Sequence, residues 1–367
     1  MEPIRVLHVV TYMGRGGLET MLMNYYRKID RNKVQFDFLV HRAFEADYDR
    51  EILELGGRIY RLPNLNPFGK KYLELLNEFF ENHKEYKIVH SHLDCMAGIP
   101  LKYAKKHGVP IRIAHAHNSN QTKDKKYWLK IMFKRNIPYY ANRLFACSKE
   151  AGKWMFETDD FEVLNNAIDA NAYSYNPDVR GQVRKAFGIN EDILLIGHVG
   201  RFAPQKNHEF IIDIFSELNE KEDSKLMLVG DGELRNFIEE KVISFNLEEK
   251  VIFCGVRTDI PKLLQAMDIF LFPSNFEGLP VSIIEAQAAG LPCLISDKVP
   301  IECKKTELVT ATSLEAPVSQ WIELIEEKRK IKRENTYEKI VKAGFDIENN
   351  SKWLEAFYLK CTKKDEE

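Results

Sequence analysis

The sequence predicts an α/β protein of two Rossmann-like domains, and three observations lead there. Strand-like apolar runs alternate with helical patterns from end to end, which argues for parallel sheets covered by helices on both faces. The runs fall into two series rather than one long one: residues 5–11, 36–40, 58–61, 88–92, 111–115 and 144–147, then 194–199, 225–229, 251–253, 269–272 and 292–295. A length of 367 residues is enough for two domains with proper cores. The junction is expected at Val163-Leu164-Asn165-Asn166-Ala167-Ile168-Asp169, followed by loop-like residues 171–178. That gives domains at 1–165 and 166–346, then a helical tail pattern at 351–359 and frayed residues 363–367.

Composition bounds the setting. With 44% hydrophobic and 29% charged residues the chain reads as an ordinary soluble globular protein. No basic stretch followed by an apolar region opens it, and no apolar run approaches a membrane span. Its six cysteines are scattered and form no Cys-x-x-Cys, which fits a reduced cytoplasmic setting better than a disulfide scaffold or a zinc module.

Taken in order, the first strand runs into Gly14-Arg15-Gly16-Gly17-Leu18-Glu19. Such a turn lets a ligand approach a helix N-terminus closely. It is not a dinucleotide fingerprint, because Glu19 stands where the third glycine belongs and would repel a pyrophosphate. A contact to a polar ligand through Gly16 and Gly17 and a plain tight turn stay equally open. Asp47-Tyr48-Asp49 precedes a helix-like stretch at 50–55, so its acids read as a cap. His90-Ser91-His92 and His115-Ala116-His117 close consecutive strands. No cysteine or closely spaced carboxylate except Asp94 completes a ligand set, so no metal is expected. His117, last in its strand, is the candidate for a hydrogen bond to substrate, and the other histidines are read as structural.

Charge is uneven. Residues 101–150 carry twelve Lys or Arg against Asp124 and Glu150, while the whole chain nets −2. Within them, residues 123–145 interleave cations with Tyr127, Trp128, Ile131, Met132, Phe133, Tyr139 and Tyr140. A basic helix with an aromatic side suits an anionic membrane surface. The alternatives are a solvated helix whose aromatics face the core, or a nucleic-acid contact.

In the second series, strand 194–199 ends in Gly200-Arg201-Phe202-Ala203-Pro204-Gln205-Lys206-Asn207, just before a helix at 209–218. Two cations converging with a helix N-terminus would make an anion site suited to a diphosphate. Strand 269–272 leads to Phe276-Glu277-Gly278-Leu279-Pro280, with Pro280 at the first position of a helix reaching residue 290. Glu277 then sits on the loop and Glu285 in the second helical turn, a pair placed to grip a polyhydroxylated ligand beyond a strand's carboxyl end.

Gly-Gly-x-Glu (16–19), His-Ala-His-Asn (115–118), Gly-Arg-Phe-x-x-Gln-Lys-Asn (200–207), Gly-Asp-Gly-Glu-Leu-Arg (230–235) and Glu-x7-Glu (277–285) occur in this order. The set resembles the retaining glycosyltransferases of family 4, in the glycogen-synthase-like superfamily, and above all bacterial enzymes that build capsule or exopolysaccharide units. The resemblance covers almost the whole chain and implies a GT-B fold, two Rossmann-like domains facing across a cleft. It implies an acceptor-binding domain at 1–165, a nucleotide-sugar-binding domain at 166–346, and a helix at 347–367 that crosses back to the first. The implied reaction is metal-independent transfer from a nucleotide-sugar, a UDP-sugar by expectation, with retention. No cofactor and no nucleic acid are implied; the acceptor would be a saccharide, lipid-linked if residues 123–145 meet the inner face of the plasma membrane.

Carried over residue by residue, the resemblance has Arg201 and Lys206 neutralise the leaving diphosphate, Glu285 hold the ribose and Glu277 act at the donor sugar. Gly255 and Val256 would meet the base by their main chain, and Gly278 and Leu279 would contact the donor. His117 would lie near the reacting carbon, and Gly16 and Gly17 by the phosphates or acceptor. Two positions depart from the family pattern: Asn166-Ala167-Ile168-Asp169 replaces Asn-Gly-x-Asp, and Gly278 stands where Ser or Thr often follows the first glutamate. The competing classes are a nucleotide-sugar 2-epimerase of the same architecture, an NAD(P)-dependent oxidoreductase, and a non-catalytic subunit. The oxidoreductase needs the missing third glycine. A non-catalytic subunit would be expected to lose the cations or glutamates kept here.

Overall fold

The computed structural model describes residues 2–118 and 127–363. Among them, strands β1 (Ile4–Val10), β2 (Val34–Val40), β3 (Ile59–Arg61), β4 (Ile88–Ser91), β5 (Ile111–Ala116), β6 (Arg143–Ala146) and β7 (Glu162–Val163) form one sheet in the order β3-β2-β1-β4-β5-β6-β7. A second sheet has the order β10-β9-β8-β11-β12-β13. Its strands are β8 (Leu194–Val199), β9 (Ser224–Val229), β10 (Val251–Gly255), β11 (Ile269–Phe272), β12 (Cys293–Ser296) and β13 (Val309–Thr312). Every strand pair is parallel. The chain divides into two compact units, residues 1–167 with 346–367, and residues 168–345.

Largely apolar strands explain why the sheets are buried on both faces. β2 (Val-Gln-Phe-Asp-Phe-Leu-Val) is buried at all seven positions. Its one charge, Asp37, is neutralised by the Arg5 guanidinium and accepts the Tyr86 hydroxyl at 2.7 Å, so the buried carboxylate is paired and bonded rather than bare. The core of the first unit includes Val6, Phe36, Phe38, Ile113 and Phe145, together with Ile347, Leu354, Tyr358 and Cys361 from the helix Ile347–Lys363. That helix therefore completes the first unit although it ends the chain. The core of the second unit joins Ile196, Leu228, Ile269, Leu271 and Trp321.

Several sequence expectations need correcting. β7 and β13 were not foreseen, and a short helix, Ala170–Tyr173, occupies the start of the expected loop. Pro280 is the N-cap rather than the first helical residue, and its helix, Val281–Ala288, stops short of Gly290. Asp49 makes no cap; it opens the helix Asp49–Glu54, pairs with Arg61 and accepts the Ala46 amide at 3.1 Å. The basic stretch 123–145 is not one helix. Residues 123–126 lie outside the described part, and the rest forms Tyr127–Lys134, Ile137–Tyr140 and the start of β6. Asn136 and Pro138 interrupt the helix, as proline lacks the amide needed for continuation. Of the frayed end expected at 363–367, Lys363 closes the helix Ile347–Lys363, and residues 364–367 lie outside the described residues. No helix among those described is long and apolar enough to cross a membrane.

Candidate functional site

In the second unit β8 and β11 are neighbours, while the chain leaves them towards opposite edges of the sheet. Ligands of open parallel sheets bind at such a switch point, beyond the carboxyl ends of the strands. The loops that leave here, 200–207 and 273–280, are tied to each other. The Asn275 amide donates to the Gln205 carbonyl at 2.8 Å and its side chain to the Pro204 carbonyl at 2.8 Å. Gln205 donates to the Phe276 carbonyl at 3.0 Å and Asn207 to the Pro273 carbonyl at 3.1 Å.

On this brace the Lys206 ammonium donates to Glu277 Oε1 at 2.7 Å and sits 4.6 Å from the centre of the Phe272 ring. Their side chains are only 17% and 7% exposed, so each charge is sheltered enough to need the other. Gly200 is required at the loop's start: a Cβ there would lie 2.8 Å from His198 Nε2 and 3.3 Å from the Lys206 stem. Arg201 is 69% exposed and pairs with Glu233, on the loop after β9, at 3.0 Å.

Glu285 is half-buried, and its Oε1 accepts the Tyr173 hydroxyl at 2.6 Å. Burial raises its pKa, and the Tyr173 bond pulls it partly back. Tyr173 was missed by sequence reasoning; the two residues are 112 positions apart. Gly255 ends β10 with φ +64°, a left-handed conformation that glycine takes without strain. Its carbonyl receives the Gly230 amide at 2.8 Å, and the neighbouring Val256 is 56% exposed. Gly278 is half-buried and Leu279 buried beside the ion pair's loop.

In the first unit the corresponding switch point lies between β1 and β4. Gly16 is the N-cap and Gly17 the first residue of the helix Gly17–Lys28, both exposed. The Glu19 carboxylate folds back over Gly16, and burial raises its pKa to about 7. At neutral pH this helix end is therefore not firmly anionic, which softens the repulsion inferred from sequence.

Five imidazoles rather than four gather on β1, β4 and β5 and the residues that follow them. His8 Nδ1 lies 3.0 Å from His92 Nε2, and His92 Nδ1 lies 2.9 Å from His117 Nε2. In a second line the Tyr358 hydroxyl meets His90 Nδ1 at 2.7 Å, and His90 Nε2 meets His115 Nδ1 at 3.1 Å. Burial lowers the pKa of His8 to about 3 and those of His90, His92 and His115 well below the usual value, so these rings are neutral at pH 7. Two trios bring nitrogens within 4.8 Å, a spacing that metal ligands also show. In the trio His8, His90 and His92 the rings are stacked, whereas in the trio His92, His115 and His117 two of the three pairs are tilted, at 42° and 36°. The short nitrogen-to-nitrogen distances describe a hydrogen-bond ladder.

The ladder changes the reading of His117. The residue is half-buried, its Nε2 is engaged by His92, and its enclosed Nδ1 has no partner among the described residues. What faces outward at this strand end is Asn118, which is exposed. His8 was missed because nothing near it in sequence marks it; only strand register brings it opposite His90.

The comparisons with known proteins accord with this layout. Residues 15–172 match the family described as Glycosyltransferase Family 4, and residues 179–344 match Glycosyl transferases group 1. EpsF of Bacillus subtilis, which is named as a glycosyltransferase, is 38% identical over 98% of this chain and 98% of its own. CapH of Staphylococcus aureus, named as a capsular polysaccharide biosynthesis glycosyltransferase, is 25% identical over 77% of this chain and 78% of its own. An Escherichia coli UDP-Gal:alpha-D-GlcNAc-diphosphoundecaprenol alpha-1,3-galactosyltransferase is 28% identical over 58% of each chain. Among solved structures, Anabaena HepE with UDP-glucose superposes with a TM-score of 0.79 at 18% identity, covering 97% of this chain and 99% of its own. Sucrose-phosphate synthase of Thermosynechococcus elongatus gives 0.76 at 16% identity, covering 98% and 99%.

Proposed function

Because this chain belongs to the family 4 glycosyltransferases and has the GT-B fold class, we propose that it moves a sugar from a UDP-sugar to a saccharide acceptor with retention and without a metal ion. The observation that carries the reading is the braced Lys206–Glu277 pair at the β8/β11 switch point. An ammonium has three N–H donors, so Lys206 can keep Glu277 and still meet a phosphate oxygen. As the anomeric bond breaks, negative charge grows on the diphosphate and positive charge on the sugar ring. Lys206 and the exposed fork of Arg201 would stabilise the first, and the Glu277 carboxylate would favour the second. Because the pair is already oriented, little reorganisation is needed at the moment of reaction.

Glu285, with one oxygen held by Tyr173, would accept ribose hydroxyls with the other, and the main chain at Gly255 and Val256 would meet the base. Gly278 and Leu279 would contact the donor, Gly16 and Gly17 the phosphates or acceptor, and the His117 segment the donor sugar. The first unit would then be the acceptor domain and the second the donor domain. UDP and UDP-glucose in the HepE structures support the choice of a uridine donor. The capsule and undecaprenol relatives support a lipid-linked acceptor in polysaccharide assembly on the cytoplasmic side of the plasma membrane. Trp128, Met132 and Tyr139 are 80%, 49% and 73% exposed amid the basic segment, which supports peripheral contact with anionic lipid.

A panel of UDP-, GDP- and ADP-sugars read by thermal shift and nucleotide release tests the donor. Undiminished turnover in a chelator and a product of unchanged anomeric configuration are expected. Conversion of UDP-N-acetylglucosamine without acceptor into its 2-epimer would instead make the protein an epimerase. Binding to anionic but not neutral vesicles, lost on Trp128→Ser, is expected at low salt; no binding to either would remove the membrane contact.

A further inference from the structure

Asp94 carries a conformation that L-residues rarely adopt, φ +46°, in the turn after β4. Such strain persists only where the surroundings enforce it, and it often accompanies function. Its carboxylate reaches across to the end of β5. One oxygen accepts the His117 amide at 3.1 Å and the other accepts the Asn118 side-chain nitrogen at 2.6 Å. A carboxylate only accepts, so the nitrogen of Asn118 must be the atom facing it, and the amide orientation is fixed. The Asn118 Oδ1 is then left as a fixed acceptor on an exposed residue at the carboxyl end of a central strand, while the His117 ring beside it is engaged by His92.

We infer that Asn118 is a substrate-binding residue that accepts a hydroxyl of a sugar, and that Asp94 is its positioning residue. The inference rests on the glycosyltransferase reading above and deepens it. It moves the polar contact at this strand end from the imidazole of His117 to the neighbouring amide oxygen. A sugar hydroxyl is the matching chemistry, since it brings the O–H that an amide oxygen lacks and carries no charge that the nearby Asp94 would repel or bind. The sugar belongs either to the donor or to the acceptor, and two assays separate these sources.

The test uses the full chain with UDP-glucose, UDP-galactose and UDP-N-acetylglucosamine. It measures slow donor hydrolysis without acceptor, transfer to an added saccharide, UDP affinity and melting temperature. Asn118→Ala is expected to lower kcat/KM by about 10-fold or more, as loss of one oriented hydrogen bond does. UDP affinity and melting temperature should stay at wild-type values. A fall in both hydrolysis and transfer assigns the hydroxyl to the donor; a fall in transfer alone assigns it to the acceptor. Asp94→Asn should reproduce the kinetic loss, and the double variant should lose little more, because both remove one positioned contact. Removing the matching hydroxyl from the substrate should abolish the difference between wild type and Asn118→Ala. Activity of Asn118→Ala within twofold of wild type in both assays overturns the inference while the enzyme reading stands. A wild-type protein that neither binds UDP nor turns over any of the three sugars overturns that reading, and the inference falls with it.

Discussion

Lys206 and Glu277 sit 2.7 Å apart on two loops that brace each other, so they act as one fixed dipole rather than as two independent charges. Lys206→Ala takes the ion-pair partner from the sheltered Glu277 carboxylate, and Glu277→Ala takes it from Lys206. Each variant should lower turnover at least 100-fold, by removing charge stabilisation at the transition state. Circular dichroism should remain that of a folded protein, and near-normal activity in both would defeat the site assignment. Glu19 gives a second residue-level test. Its carboxyl is raised to about 7 in the folded chain against 4.5 when unperturbed, so the folded state holds its proton longer than the unfolded state. Its contribution to stability therefore falls as pH rises from about 4.5 to about 7 and is flat above. Glu19→Gln should match wild type near pH 4.5 and exceed it at pH 8 by on the order of 1 kcal/mol, a figure kept small because solvent reaches part of the side chain. Denaturant titrations at the two pH values check the sign.

At the scale of elements, sequence was a good guide where the signal is local. β8 and β11 have the expected limits, because each is an apolar run closed by turn residues. β7 escaped notice because it is two exposed residues, Glu162 and Val163, and β13 because Val-Thr-Ala-Thr is half polar, as befits a sheet edge. The places of Lys206 and Glu277 on their loops and of Glu285 in its helix were legible in the sequence. Tyr173 and His8 were not, because their partners are set by tertiary packing and strand register rather than by spacing. The orientation of His117 was likewise invisible, since it depends on His92 from another strand. The helix Ile347–Lys363 carries a prediction of its own, for it fills the core of the first unit with Leu354 and Tyr358. Truncation after residue 345 should leave that unit unfolded or aggregated, as read by soluble yield and thermal melting. Tyr358→Phe, which removes only the bond to His90, should cost about 1 kcal/mol. A truncated chain that melts like the full one would contradict the packing.

Across the whole molecule, seven buried histidines and the half-buried His117 have lowered pKa values, the seven being His8, His41, His90, His92, His115, His198 and His208. Burial is the first cause in each, and both units contribute. For a base whose folded pKa is depressed, the unfolded chain takes up protons first, so stability is present above about 6.5 and is lost as pH falls below it. Each such group adds up to about 1.4 kcal/mol per pH unit in that window. The protein should unfold cooperatively in mild acid, near pH 5, well before carboxylates titrate. A melting temperature unchanged between pH 7 and pH 5 would contradict the burial of this set. The central claim, however, concerns chemistry at the β8/β11 switch point, and UDP release from UDP-sugars tests it most directly. Wild type should release UDP from at least one of them and pass the sugar to a saccharide with its anomeric configuration kept, while Lys206→Ala stays folded and nearly silent. Release of no nucleotide from any sugar, or equal release by Lys206→Ala, would contradict the account.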